Sequence, residues 1–242
     1  MEVIIPSAGY ATRLYPLTID RPKHLLEVAG KPILEHVLDK VKELGPRRIH
    51  LVTNDKFASN FEDWAKLYKH PDLHVINDKT KSNDDRLGQI GDIQLVIDTQ
   101  KIDDDLVILA GDNLFNFSLI DAHTVFVEHG KPVNAAFDIG NTAHARHLGV
   151  LEVDHRNRIT AFQEKPEHPK STLVSLGIYF FPRKHVPLIS EYLAQGNSPD
   201  KMGHFMEWLL EREQVFTHIY KDQWFDIGVP EQLEEARRDF TP

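Results

Sequence analysis

Apolar residues follow two spacings along this chain, and the points where one gives way to the other mark out the elements. Val3 to Pro6 is a short β-branched run that stops at Ser7-Ala8-Gly9, as a buried strand opening into a loop does. From Ile33 the spacing lengthens. Ile33, Leu34, Val37, Leu38, Val41 and Leu44 lie at helical intervals, and Gly45-Pro46 supplies the stop signal. The pattern then predicts a strand over Ile49–Val52, a helix from Phe57 to Tyr68 and a strand over Leu73–Asn77. A polar loop follows, then a helix from Leu87 to Thr99 and a strand over Asp105–Ala110. Repeated strand and helix imply a mostly parallel sheet covered on both faces.

After Gly111-Asp112 the pattern changes. A helix is expected over Leu119–His129, but Val133–Ile139, Leu148–Val153, Ile159–Gln163 and Leu173–Phe181 all read as strands, with Asp154-His155-Arg156-Asn157 as a hairpin turn. Antiparallel strands added to a parallel core are the expected result. Helices over Val186–Ala194 and Met202–Arg212, a strand over Val215–Ile219 and a helix from near Pro230 to about Arg238 follow. No internal repeat, low-complexity segment or linker interrupts the series, so one α/β domain over residues 1–242 is expected.

Composition narrows the functions. The 37 acidic against 28 basic residues give a net charge of -9, which argues against nucleic acid as a partner. Any anion must therefore be held by locally placed cations. The absence of cysteine excludes disulfides and thiolate metal sites. The fourteen histidines form no H-E-x-x-H pattern. The start MEVIIPSAGY has neither a basic region nor a long apolar core, and no stretch reaches the roughly 18 apolar residues of a membrane span. A soluble, cytoplasmic protein without membrane association is expected, with a homo-oligomer left open.

Candidate chemistry centres on the first connection. PSAGYATRLYPLTIDRPKHLL, residues 6–26, places Gly9, Arg13, Arg21 and Lys23 directly after the first strand. Ligands in open α/β sheets sit beyond the carboxyl ends of strands, and glycine lets backbone N–H groups approach phosphate closely. The stretch is neither a Walker loop nor a G-x-G-x-x-G turn. On residues alone, its cations could face an anion or water.

The stretch SAGYATRLYPLTIDRPKHLL resembles the G-x-x-T-R-L-x-P-L-T-x-x-x-P-K-x-L-L opening of the sugar nucleotidyltransferases, glucose-1-phosphate thymidylyltransferases among them. LAGDNLF around Asp112, HLGVLEVD around Gly149, FQEKP at Glu164-Lys165, SLGIYFF around Gly177 and WFDIG at Asp226 follow in the family's order. The resemblance implies a Rossmann-like sheet with added antiparallel strands, and transfer of a nucleotidyl group from a nucleoside triphosphate to a sugar 1-phosphate with release of pyrophosphate. It implies a nucleotide-binding half over residues 1–112 and a sugar-phosphate-binding half over 113–242.

The same resemblance distributes the roles. Ala8, Gly9, Tyr10, Ala11, Thr12 and Arg13, with Lys23, Gly88 and Asp112, would meet the nucleotide. Arg13 offers a fork for the β- and γ-phosphates, and Lys23 a point charge that can follow the α-phosphate. Gly149, Glu164, Lys165 and Gly177 would meet the sugar phosphate. Arg13, Lys23, Asp112 and Lys165 are the implied catalytic set. Asp112 and Asp226 suit a Mg²⁺ that also takes phosphate oxygens. Arg21 reads as solvated or salt-bridged.

Two departures stand out. Ala11 occupies a position where the family usually has a second glycine, so a positive φ there would be strained. The segment NDDRLGQIGDIQLVI replaces G-T-A-x-A or G-L-A-Q-A, so only Gly88 aligns and the base is left open. A CTP-dependent cytidylyltransferase acting on phosphocholine or a similar phosphorylated alcohol is one alternative. A nucleotide-sensing regulatory subunit without catalysis is another.

Overall fold

The computed structural model describes all of residues 1–242. The first half runs β1 (Glu2–Pro6), β2 (Glu27–Val28), β3 (Lys31–Pro32), α1 (Ile33–Lys42), β4 (Arg48–Thr53), α2 (Ala58–Tyr68), β5 (Leu73–Asn77), α3 (Gln89–Gln100) and β6 (Leu106–Leu109). The second half runs β7 (Asn113–Phe115), α4 (Ile120–His129), β8 (Val133–Asp138), α5 (Thr142–Ala145), β9 (Gly149–Val153), β10 (Ile159–Glu164) and β11 (Leu173–Phe181). It ends with α6 (Pro187–Ala194), α7 (Met202–Leu210), β12 (Ile219–Tyr220), β13 (Trp224–Asp226) and α8 (Pro230–Asp239).

A nine-stranded sheet carries the expected plan. Strands β6, β1, β4 and β5 are parallel neighbours, and β11 pairs antiparallel with β6, β8 and β9. Strand alternation sorts the core. Val3 and Ile5 of β1 join α1, α2 and α4 on one face, whereas Ile4 joins α3, α6 and α7 on the other. Both faces are thus apolar, which is why the central strands read as continuous hydrophobic runs. The β9–β10 hairpin turns at Asp154–Asn157, with Asn157 left-handed and Asp154 Oδ1 accepting from Arg156 N at 2.9 Å and Arg158 N at 3.0 Å. No helix is long and apolar enough to cross a membrane.

The expected strand over Val215–Ile219 is corrected. Only Ile219–Tyr220 forms a strand, because the residues before it serve different partners in turn. Val215 O accepts from Ile159 N, Phe216 N donates to Pro132 O, and Thr217 N donates to Asn157 O, so no continuous ladder develops. Strands β7 and β13 pair antiparallel with each other, as do β2 and β3, and all four are too short for the apolar pattern to reveal.

At the end of the sheet opposite the opening loop, Glu2 is fully buried. It accepts from Arg48 at 2.8 Å and His50 Nε2 at 2.7 Å, and pairs with Arg47. Burial acts first to raise its carboxyl, but the bonds from Arg48, His50 and Arg47 outweigh it and hold Glu2 at about 2, below the ordinary 4.5. A depressed folded-state value stabilises the fold fully above the unfolded value, and the gain is lost as pH falls from about 4.5 toward 2. Glu2→Gln is expected to cost about 2 kcal/mol at neutral pH and to flatten the acid limb of stability. Denaturant unfolding over a pH series measures both, and an acid limb as steep as wild type would contradict the pairing.

Candidate active site

The opening loop is shaped before it is charged. Ser7 N donates to Val52 O at 2.8 Å as β1 ends. Ala11 adopts φ 48° and ψ 42°, and a single turn over Thr12–Leu14 follows. Thr18 Oγ1 donates to Ala11 O at 2.8 Å, and Leu14 N to the same oxygen at 3.0 Å. Leu14 is fully buried against Leu26, Leu114, Ile227 and Leu233, which fastens the loop to α8. The alanine therefore takes the left-handed shape that glycine would take without strain, at about 1–2 kcal/mol.

Pro22 leads into a second turn over Lys23–Leu25. Lys23 Nζ pairs with Asp112 and donates to Ile227 O at 3.1 Å. Arg13 carries no ion pair or hydrogen bond of its own, and its guanidinium lies so near Gly228 that a Cβ there would sit 3.2 Å from Nη2. Arg21 pairs with Glu27 at 3.8 Å, with both side chains half exposed and outside the cleft.

Two carboxylates meet at the strand ends. Asp112 precedes Asn113 of β7, and Asn113 stands opposite Asp226 of β13 in the ladder. Burial raises the Asp112 carboxyl, but Lys23 outweighs it and holds Asp112 below the ordinary carboxylate range. Asp226 is raised, by burial first and then by Asp112, against the pull of Lys23, Arg13 and Lys165. An acid left short of counter-charge beside a second one is a donor set for a divalent cation. No group of three or more histidine or carboxylate side chains forms a closed cage, so a cation held here would draw its other ligands from phosphate and water.

The second half supplies the facing wall. Gly149 stands opposite Glu164 in the β9–β10 ladder, and a Cβ on it would fall 2.6 Å from the Phe162 ring. Gly177 has φ 67°, and a Cβ on it would fall 3.1 Å from both Ala110 and Asn113, so a side chain there would be strained and crowded. Asn113 Nδ2 donates to Leu176 O at 2.8 Å, and its Oδ1 accepts from Trp224 Nε1 at 3.2 Å, locking β7, β11 and β13 together. Glu164 pairs with Lys201 at 3.6 Å. Lys165 is left-handed, with φ 52°, and its N–H donates to Leu148 O at 3.0 Å.

These walls enclose a cleft of about 580 Å³. Ala8, Gly9, Ala11, Thr12, Arg13, Lys23, Gly88 and Asp112 line it from one side. Gly149, Glu164, Lys165, Gly177 and Asp226 line it from the other. Tyr10, expected to meet the nucleotide, is not among them: its ring packs against Phe57 and its hydroxyl donates to Thr80 O at 3.3 Å. The structure adds residues that motif reading passed over. Arg86 pairs with Asp200 at 3.4 Å, Ile90 N donates to Pro199 O at 2.8 Å, and a Cβ on Gly88 would sit 2.6 Å from that oxygen. The segment before α7 thus caps α3 and closes one end of the cleft. No local sequence signal pointed to it, because a polar stretch between helices reads only as loop.

Cations gathered around two strand-end carboxylates, on a parallel sheet with an antiparallel extension, make an α/β fold suited to holding polyphosphate. The nucleotidyl transferase family model matches residues 2–241, and the chain belongs to that family. It is 30% identical over 248 residues to the UTP–glucose-1-phosphate uridylyltransferase AglF of Haloferax volcanii, covering 98% of this chain and 96% of that protein. It is also 30% identical over 240 residues to the bifunctional protein GlmU of Methanocaldococcus jannaschii, covering 98% of this chain and 54% of that one. The chain therefore spans about half the length of its GlmU relatives. Its fold matches that of a Bacillus anthracis crystal structure assigned as a glucose-1-phosphate thymidylyltransferase, with a TM-score of 0.86, 22% identity and coverage of 100% of this chain and 98% of that chain.

Ala11→Gly removes the left-handed penalty but adds unfolded-state freedom, so a net gain of about 0.5–1 kcal/mol is expected. Thermal or urea unfolding measures it, and a loss of stability would contradict the strained geometry.

Proposed function

We propose that this chain transfers a nucleotidyl group from a nucleoside triphosphate to a sugar 1-phosphate, forming an NDP-sugar and pyrophosphate. One observation carries the reading. In a chain of net charge -9, Lys23, Arg13 and Lys165 converge on Asp226 beside Asp112, at the strand ends where the two anions would have to meet. An ordinary solvated surface has no reason to gather these charges. In this reading residues 1–112 hold the nucleotide and residues 113–242 the sugar phosphate, within one domain.

The chemistry is displacement at phosphorus. A sugar-phosphate oxygen attacks the α-phosphorus, the bond to the bridging oxygen of the β-phosphate breaks, and pyrophosphate carries that electron pair away. No proton needs to move, so positioning and charge compensation supply the catalysis. Lys165 holds the attacking phosphate, and Glu164 accepts hydrogen bonds from sugar hydroxyls. Gly149 and Gly177 let Phe162, Ala110 and Asn113 pack close to the backbone that lines the sugar side of the cleft. Arg13 grips the β- and γ-phosphates, while Lys23 follows charge on the α-phosphate. Asp112 and Asp226 would hold the Mg²⁺, whose contribution is charge neutralisation on the phosphates. Because the AglF relative is a UTP–glucose-1-phosphate uridylyltransferase, UTP with glucose 1-phosphate is the first pair to test.

A pyrophosphate-release screen crossing four nucleoside triphosphates with several sugar 1-phosphates and phosphocholine tests the reaction. Activity with a sugar 1-phosphate and none with phosphocholine is expected; turnover of phosphocholine alone would overturn the assignment. Arg13→Ala, Lys23→Ala and Asp112→Asn should each lower the rate by about 10²–10³-fold, while Arg21→Ala leaves it within a factor of about 2 because an exposed pair contributes little. Full activity in the first three would remove Arg13, Lys23 and Asp112 from the reaction.

A further inference from the structure

Away from the phosphate-facing cations, the nucleotide side of the cleft holds a second pair of carboxyls. Asp92 lies in the first turn of α3, lines the cleft and is only 6% exposed. Asp78 follows β5 directly and is 9% exposed. Asp78 Oδ1 is fully engaged, accepting from Thr80 N and Thr80 Oγ1, both at 2.7 Å. The remaining facing atoms, Asp78 Oδ2 and Asp92 Oδ1, are buried without any donor. Asp92 lies within hydrogen-bond reach of Asp78, and a proton held between the two carboxyls satisfies both oxygens at once.

The surroundings offer no competing counter-charge. Ile4 of β1 and Val52 of β4 pack against this helix, and Ser190 of α6 spends its hydroxyl on Gln94 at 2.8 Å. Arg86 and Asp200 pair with each other at the mouth, and Tyr10 spends its hydroxyl on Thr80 O. The charge that acts on Asp92 is that of Asp78, and burial followed by this neighbour raises the Asp92 carboxyl to about 8. With the proton held, Asp92 is uncharged at neutral pH, and with Oδ1 spent on Asp78 its remaining oxygen is free on a residue that lines the cleft.

We propose that Asp92, held by Asp78 through a shared proton, reads the nucleobase, its free oxygen accepting a ring or exocyclic N–H from the base of the bound nucleoside triphosphate. Placement supports this. The phosphates belong at Arg13 and Lys23 and the sugar phosphate at Lys165, so the part of the cleft bounded by Gly88, Gln89 and Asp92 is left for the base. Asn54 Nδ2 fixes the neighbouring Ala8 carbonyl at 2.7 Å, so the backbone facing the base is rigid as well. The inference rests on the nucleotidyl-transfer reading.

Calorimetric titration with the four nucleoside triphosphates and with inorganic triphosphate tests it. Asp92→Ala should weaken the best-bound nucleotide at least tenfold and erase the preference among bases, yet leave inorganic triphosphate unchanged. Asp92→Asn should stay within threefold of wild type, because its amide N–H replaces the shared proton toward Asp78 and its carbonyl faces the cleft. Wild type should weaken from pH 7 to pH 9 as the pair gains a second charge, and Asp92→Asn should not. Unchanged nucleotide affinity in Asp92→Ala, or an equal loss for inorganic triphosphate, overturns the proposal. If the alanine variant fails to fold, a wild-type pH dependence in Asp92→Asn overturns it instead. Binding of no nucleoside triphosphate by wild type would refute the functional reading itself.

Discussion

Holding two partly buried carboxylates side by side is the constraint from which this structure is arranged. Asp112 and Asp226 meet because β7 and β13 pair at the ends of the strands, and their repulsion would cost stability if left uncovered. Lys23 covers one of them from the opening loop and is itself held by the carbonyl of Ile227, the residue before the Gly228 that Arg13 lies against. The loop, β7, β13 and the approach to α8 are thus tied at one electrostatic point. Asp226 still lies above the ordinary carboxylate range, so the compensation within the protein is incomplete. A fold that needed only stability would replace such an acid; a site that binds a cation and two phosphate esters uses it.

Two of the seven non-glycine residues with left-handed backbone lie at this site. Ala11 and Lys165 both occupy left-handed geometry without being glycine, one on each wall of the cleft. Such residues persist only where their surroundings overdetermine them. At Ala11 the surroundings are visible: two donors fix its carbonyl, and the apolar cluster around Leu14 anchors the next turn. The methyl group does not stop the loop from taking a glycine-like path, which answers the doubt its sequence raised.

Long apolar periods made most of the fold legible. Leu73–Asn77 and Leu173–Phe181 coincide with β5 and β11, and the expected helices differ by a residue or two at their ends, while the four-residue α5, capped by Asn141, was too short for the apolar period to show. What escaped were elements whose identity depends on distant partners. β7 and β13 have three residues each and become strands only by pairing with each other. Phe216 bonds Pro132 and Asn134 on one side while its neighbours Val215 and Thr217 bond Ile159 and Asn157 on the other, so the segment forms only isolated bridges. The site shows the same division. Of the residues that the motifs assign to the nucleotide or the sugar phosphate, Tyr10 alone turns away from the cleft, its aromatic ring packed against Phe57. Asp78, Asp92 and the Arg86–Asp200 pair were invisible because no motif spans them and only folding juxtaposes them.

In this picture Asp226 is kept at the expense of stability so that a divalent cation can join triphosphate to protein. Thermal unfolding and nucleoside triphosphate calorimetry of Asp226→Asn, with and without Mg²⁺, put that trade to the test. A higher unfolding temperature for the ligand-free variant is expected, together with no tightening of triphosphate binding by Mg²⁺. A lower unfolding temperature with the Mg²⁺ effect intact would contradict it.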